Sequence, residues 1–394
     1  MIVNKKEIIN NFSLTEYEET LVNDLDAAIA ERILKTGIVE VSRKVSGEFV
    51  LKADSKVGFV SVQDVQVNVK PRFPIYNIFY LLGLIDVLKL DKEKVSIQES
   101  SDFLTLLFQT FLLTVSETTK KGLLKDYVNL QETTQVLRGR MDFARQLKAQ
   151  PNSYYPFEVS FDDYVENIAE NQIVKWALLI SLKYGLNDRK LRSMAQSLLF
   201  NFKEVAEIQQ LPVWNESRLN QHYWDVLKLS ELIIGGNGFN ETIGSIQING
   251  FSIEMHKVFE NFVAKQFDSR IKDSNNYIMT QKRLELDIGG IYHEKPDIIW
   301  YREGKPYQVI DTKYKKPEGD LEKRDSMNDL RQVISYASLL GLKEAHLIYG
   351  VAGDARSIKT RQEGITVFSH CLDLGKSPLE IQTQLDELVE ELSL

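Results

Sequence analysis

Apolar and polar positions change their period along this chain. In the segments 37–41, 48–51, 57–62 and 65–69 they alternate with period two, as in Val65-Gln66-Val67-Asn68-Val69, with turn residues between the runs. That pattern predicts short strands forming a small antiparallel sheet or barrel, ended by Pro71-Arg72-Phe73-Pro74. An irregular start and a short helix centred on 23–34 precede it. From Ile75 the period lengthens, and helices are predicted at 75–88, 103–119, 163–184, 188–207 and 218–234. An extended stretch at 127–137 and the turn Arg138-Gly139-Arg140 interrupt them. Gly235-Gly236-Asn237-Gly238 then reads as a break, and a linker is expected between Gly235 and Gly250. Beyond it come a helix at 253–267, strands at 277–286, 296–301 and 307–314, a helix at 327–340, strands at 345–351 and 365–372, and a last helix. Strands alternating with helices predict an α/β core around a mixed sheet. The expected domains are 1–145, β-rich and helical; 146–245, helical; and 246–394, α/β with its own complete core.

The net charge of −8 disfavours a chain that coats DNA by charge alone, since nonspecific affinity comes from Lys and Arg replacing phosphate counterions. A nucleic-acid role would need local basic patches or a partner that supplies contacts. The single cysteine, Cys371, excludes an intramolecular disulfide framework, and five scattered histidines make a Cys/His zinc site a poor fit. The N-terminus lacks a signal-peptide core, and the most apolar runs are too short to span a bilayer. The expected location is the cytoplasm, with no membrane contact.

Candidate chemistry gathers in His293-Glu294-Lys295-Pro296-Asp297-Ile298-Ile299-Trp300 and Val309-Ile310-Asp311-Thr312-Lys313-Tyr314-Lys315. Side chains alternate along a strand, so Asp311 and Lys313 share a face and Thr312 points away. If Glu303-Gly304-Lys305 is the hairpin loop, Arg302 pairs with Pro306 and Asp297 lies opposite Asp311. Two carboxylates about 5 Å apart repel unless a cation lies between them. Oxygen ligands without His or Cys favour Mg²⁺ or Mn²⁺. Lys313 could then position water, lower its pKa or stabilise charge on a phosphate. Asp-x-Lys alone is common on solvated strands; here it follows Val309-Ile310 and comes soon after Pro296-Asp297. Glu260, among apolar neighbours on its helix, could reach the same metal. Gln332 and Tyr336, one turn apart, could hydrogen-bond a phosphate or hold Lys313. Asp329 reads as a charge behind the site. Arg138, Arg140 and Asp142 read as a buried salt-bridge network or a partner contact, and His293 and Glu294 as loop residues.

Asp297, Asp311 and Lys313 match the PD-(D/E)xK nuclease motif, with Asp311 where Glu is more usual, and Gln332-x-x-x-Tyr336 resembles the QxxxY element of RecB-like members. With Val69-Lys70-Pro71-Arg72-Phe73, Val136 to Phe143, Glu166-Asn167 with Asn171, and Phe259-Glu260-x-Phe262-Val263, the chain resembles the McrC family, nuclease subunits of McrBC-type modification-dependent restriction systems. The resemblance spans nearly the whole chain and is most specific in the last third. It implies a restriction-endonuclease-like fold for 246–394, Mg²⁺-dependent cleavage of double-stranded DNA, and docking on a hexameric AAA+ GTPase, McrB. In that family the N-terminal part enters the motor's pore and stimulates GTP hydrolysis, so 37–70 is the expected docking segment. The chain has no Gly-rich GK[ST] loop, which agrees with the NTPase being another polypeptide. The alternatives are a stand-alone RecB-like repair or recombination nuclease and a non-catalytic activator of an AAA+ ring.

Overall fold

The computed structural model describes residues 10–83 and 103–393, apart from 24, 150, 152, 154, 185–187, 244–245, 272, 274, 316–323, 354–355 and 361–363. It is a mixed α+β structure with several sheets. Two compact units divide the chain: Met1–Leu90 with Phe239–Leu394, and Asp91–Gly238.

The first unit begins with β1 (Asn10–Thr15), β2 (Glu19–Val22), the helix Ala27–Thr36, β3 (Val39–Arg43), β4 (Phe49–Ala53), β5 (Lys56–Val62), β6 (Val65–Lys70) and the helix Ile75–Leu81. The remainder of the 75–88 helix expectation falls mostly outside the described residues. Asp26 caps the helix Ala27–Thr36 by accepting from Ala28 N at 2.8 Å and Ile29 N at 3.2 Å, and Gly37 ends it with φ 66°. Its Ile29 and Ile33 pack into a core with Leu51, Val60 and Val67. The expected antiparallel sheet is instead two sheets. β2, β4 and β3 form one, antiparallel throughout, while β1 lies parallel to β6 in the other. β1 carries only Phe12 and Leu14 as apolar residues, too short a pattern to stand out.

The second unit holds the helix Phe103–Thr118, β7 (Asp126–Thr134), β8 (Arg140–Met141), the helix Phe143–Ala149, β9 (Phe157–Val165), and the helices Ala169–Tyr184, Arg189–Asn201 and Trp224–Gly235. β9 pairs antiparallel with β7 and β8. The helix expected from 163 therefore starts later, because 157–165 is a strand. Phe108, Phe111, Val174, Leu178, Val226 and Leu227 are all buried in its helices. The basic motif is not buried: Arg138 is exposed and pairs with Asp163 at 3.1 Å, and Asp142 accepts from Arg145 N as a helix cap.

The chain then returns to the first unit through β10 (Asn237–Ile243), β11 (Ile246–Glu254), the helix Met255–Ile271, β12 (Asn276–Thr280), β13 (Leu284–Glu285), β14 (His293–Glu294), β15 (Ile298–Arg302), β16 (Lys305–Lys313), the helix Arg324–Leu340, β17 (Glu344–Tyr349), β18 (Arg356–Lys359), β19 (Thr366–Cys371) and the helix Pro378–Ser393. A six-stranded sheet runs β12-β15-β16-β17-β19-β18. It is mixed, as expected: β16, β17 and β19 are parallel and the outer pairs antiparallel. Residues 237–254 are not a linker. β11 pairs with β5, placing Phe251 opposite Phe59, and completes the sheet β1-β6-β5-β11-β10. The crossing needs glycine at 58, where an added Cβ would lie 2.1 Å from the Phe251 carbonyl oxygen. The contacts thus do not divide at 145 and 245. A fragment starting near Gly250 would leave β11 without β5, while the six-stranded sheet and its buried cluster, Ile299, Val309 and Val367 among them, lie wholly within it. Among the described residues no helix is long and apolar enough to cross a membrane.

Candidate functional site

Two departures from the expected hairpin cancel. The β15–β16 turn has two residues, Glu303 at φ 52° and Gly304 at φ 77°, so Arg302 pairs with Lys305. Positive φ at both positions is the primed turn that suits strand twist. A bulge then intervenes: Tyr301 pairs with Pro306 but Trp300 with Gln308, which leaves Tyr307 as the extra residue. Ile298 consequently pairs with Ile310, and one step further the same register sets Asp297 opposite Asp311. The loop was read one residue too long, yet the register at Ile298 is the expected one, and Asp297 stands close enough to help raise the Asp311 carboxyl.

The structure links four of the six candidates directly and reaches the other two, Asp297 and Glu260, through bridging residues. Lys313 Nζ lies 2.5 Å from Asp311 Oδ2 and donates to Gln332 Oε1 at 3.0 Å. Gln332 Nε2 contacts the Tyr336 hydroxyl at 2.6 Å. Asp297 Oδ2 accepts from both the backbone N–H and the hydroxyl of Thr312, each at 2.7 Å, so Thr312 turns away from Lys313 but not from the site. Glu260 is joined to Asp297 by Gln281, whose Nε2 donates to Glu260 Oε1 at 2.6 Å and to Asp297 Oδ1 at 3.0 Å. Gln281 holds a left-handed backbone at φ 51° and was missed; a single glutamine between two short strands carries no sequence signal. Asp329 does more than sit behind the site. It lies 3.8 Å from Lys313 Nζ, pairs with Lys315 at 2.9 Å and accepts from the Tyr349 hydroxyl at 3.4 Å. Glu294 has one carboxylate oxygen buried without a hydrogen-bond partner.

Burial and crowding set the charges. Asp311 is 2% exposed, and burial first, then the neighbouring Asp297 and Asp329, push its carboxyl up to about 6 against the pull of Lys313. Burial works against the Lys313 ammonium, but Asp311, Asp329 and Asp297 outweigh it and hold its pKa above the ordinary lysine range. Glu260 is raised by burial and by Asp297. Asp311 Oδ2 is buried without a well-aligned hydrogen bond, beside the ammonium.

These features fit a hard divalent cation in donor chemistry. All the acceptors are oxygens, two carboxylates crowd each other, and one buried carboxylate oxygen lacks an aligned donor. Among the described residues no three His, Cys, Asp or Glu side chains are grouped ready to hold a metal. The acids stand as the pair Asp297 and Asp311, with Glu260 behind Gln281.

Comparison with known proteins agrees with this architecture. A curated relative, the type IV methyl-directed restriction enzyme EcoKMcrBC of Escherichia coli K12, is 20% identical over 265 residues, 63% of this chain and 75% of its own length. A chain in the refined half-complex of the tetradecameric assembly of Thermococcus gammatolerans McrB AAA+ hexamers with bound McrC has the same fold. It aligns at a TM-score of 0.56 and 16% identity, covering 96% of this chain and all of that one. The family model described as McrBC 5-methylcytosine restriction system component matches residues 51–350. The chain belongs to the McrBC 5-methylcytosine restriction system component family, as a McrC-type subunit.

Proposed function

We propose that this chain is the nuclease subunit of a McrBC-like restriction system. It cuts double-stranded DNA with Mg²⁺ or Mn²⁺, docks on a hexameric AAA+ GTPase and stimulates it, in the cytoplasm. The observation that carries the reading is the lysine ammonium fixed between Asp311 and Gln332 at the strand end where Asp297 and Asp311 meet. This arrangement supports a PD-(D/E)xK reading of the site. Family membership and the fold shared with a chain of the McrB–McrC assembly support the partner.

Asp297 and Asp311 would hold the cation, with Glu260 in reserve through Gln281. When bound, such a cation activates water and offsets phosphate charge. Lys313 carries the rest of the electrostatic work. The carboxylates around it favour its ammonium form, which suits it as a hydrogen-bond donor to oxygens that gain charge. Gln332 Oε1 accepts a hydrogen bond from Lys313 and its amide is itself held by Tyr336, which limits the swing of the ammonium. Thr312 turns Asp297 toward the strand end through two donors to one oxygen.

The test uses the full chain with its AAA+ partner, NTP, Mg²⁺ and a methylated duplex. Asp311→Asn should abolish cutting and leave partner hydrolysis stimulated. Wild-type cutting by a folded Asp311→Asn would overturn the assignment.

A further inference from the structure

The motif Val69-Lys70-Pro71-Arg72-Phe73 takes no part in that chemistry, yet its arginine packs against the end of the strand that carries it. Tyr314 follows Lys313 directly and is buried. The Arg72 guanidinium lies 4.5 Å from the Tyr314 ring centroid, 5.0 Å from that of Tyr17 and 4.7 Å from that of Phe73. A planar, weakly hydrated cation suits such an aromatic enclosure. Arg72 Nη2 also donates to the Gly350 carbonyl at 3.0 Å, and the Gly350 N–H donates to the Lys313 carbonyl at 3.0 Å. Glu16 approaches as well: its Oε2 accepts from the Tyr314 hydroxyl at 3.0 Å and from the Arg72 backbone N–H at 3.1 Å. The Tyr17 hydroxyl donates to the Tyr314 carbonyl. The carbonyls of Lys313 and Tyr314 are therefore both anchored, one through Gly350 and one directly.

Gly350 leaves little slack in this linkage, because a Cβ there would lie 3.1 Å from Leu374 and 3.2 Å from Phe259. Phe259 precedes Glu260 and its ring contacts that of Tyr314 at 6.0 Å between centroids. Packing alone is a poor account of the cluster. Glu16 Oε1 and Arg72 Nε are buried without hydrogen-bond partners. Apolar side chains of similar volume would fill the space without that cost.

We propose that Arg72 and Glu16 are positioning residues of the nuclease site. They fix the backbone at Lys313 and Tyr314, and with it the reach of the Lys313 ammonium between Asp311 and Gln332. The inference rests on the nuclease reading above. It also makes the ends of β1 and β6, in the sheet expected to meet the motor, part of the scaffold of the site.

The test compares full-length variants in the complete complex and alone. Arg72→Met keeps the stem and removes the guanidinium. It should lower single-turnover cleavage about 100-fold, the order expected when a reacting group is displaced by about 1 Å. The Mg²⁺ midpoint and stimulated partner hydrolysis should stay at wild-type values. In the free chain, acylation of Lys313 by an amine-reactive ester, read by mass spectrometry, should speed up several-fold. Glu16→Gln keeps an acceptor and should restore nearly full cutting, whereas Glu16→Leu should behave like Arg72→Met. If Arg72→Met does not fold, Tyr314→Phe, which keeps the ring and loses the donor to Glu16, carries the same expectations in milder form. Wild-type cutting by these variants beside a strongly impaired Lys313→Gln overturns the positioning role alone. So does a loss that only tracks the unfolded fraction while Lys313 reactivity is unchanged. Wild-type cutting by Lys313→Gln itself overturns the nuclease reading instead.

Discussion

The two faces of the six-stranded sheet each bury a polar cluster, and the clusters follow opposite rules. Toward the helix Arg324–Leu340 the cluster is charged and crowded: Asp311, Lys313 and Asp329 meet, and Asp311 is pushed up to about 6 by burial and its acidic neighbours. Toward the helix Pro378–Ser393 the cluster is neutral and paired. Gln308 Oε1 accepts from His346 Nε2 at 3.0 Å, which leaves His346 Nδ1 to accept from His370 Nε2 at 3.1 Å. Burial, then His370, drives His346 down to about 3, and burial lowers His370 against the pull of Glu391, whose carboxylate lies 3.8 Å from its Nδ1. A buried network with its donors and acceptors matched rigidifies a core. One that keeps opposed charges and an oxygen without an aligned donor is poised for something the chain alone does not supply.

The largest expected effect would break the charged face. Asp311→Asn removes one charge and keeps the shape, so DNA cleavage by the complex should fall to background while the circular dichroism spectrum is unchanged. Substantial Mg²⁺-dependent cutting would mean that the crowded face is merely structural. Next comes Lys313→Gln. Removing one fixed donor to a charged transition state costs about 10²–10³-fold in rate. Mg²⁺ affinity, measured by calorimetry, should change little, since no ligand is lost. A collapse of metal binding would instead show that Lys313 orders Asp311 rather than acting on substrate.

The charged face was largely legible in the sequence, and the neutral face was not. Strand alternation alone puts Asp311 beside Lys313, and helix spacing puts Gln332 beside Tyr336, so local rules reach four of the residues. Asp297 was placed opposite Asp311 by a register argument that survived because a shorter turn and a bulge offset each other. Gln281, Thr312 as a donor to Asp297, and the Arg72–Tyr314 contact depend on chain crossings that no local period encodes. The same holds for β11. Residues up to Gly250 read as a linker because the strand partner of that stretch, β5, lies far away in sequence. His346 and His370 occupy equivalent steps of neighbouring parallel strands, offset by two, and nothing in either strand announces the other.

A smaller effect should mark the neutral face. His346→Leu leaves Gln308 Oε1 without its donor and His370 Nε2 without its acceptor, among side chains that are nearly buried. Stranding buried partners costs about 1–3 kcal/mol each, part of which added apolar packing recovers. Denaturant unfolding should show that loss with an unchanged slope. Cleavage measured well below the melting temperature should stay at the wild-type rate. A large rate defect in a folded His346→Leu would erase the distinction between the faces.

The smallest effect tests whether the histidines are neutral because the fold holds them so. His346 takes up a proton near pH 6.5 when unfolded but only near pH 3 when folded. Between those values the unfolded chain binds more protons, so the contribution of His346 to stability is fully present above about pH 6.5 and declines as pH falls toward 3. His370 is lowered as well, mainly by burial, and acts in the same direction. Asp311 and Glu16 act the other way over the acidic range, because raised carboxyl pKa values favour the folded state as pH falls. The net slope of the wild type is thus a contest between the faces, and the difference between wild type and His346→Leu isolates one side of it. Melting temperatures from pH 7 to pH 5 should fall more steeply for the wild type than for His346→Leu. Parallel curves would mean that the His346–His370 pair shares a proton in the folded state and is not the neutral scaffold described for that face.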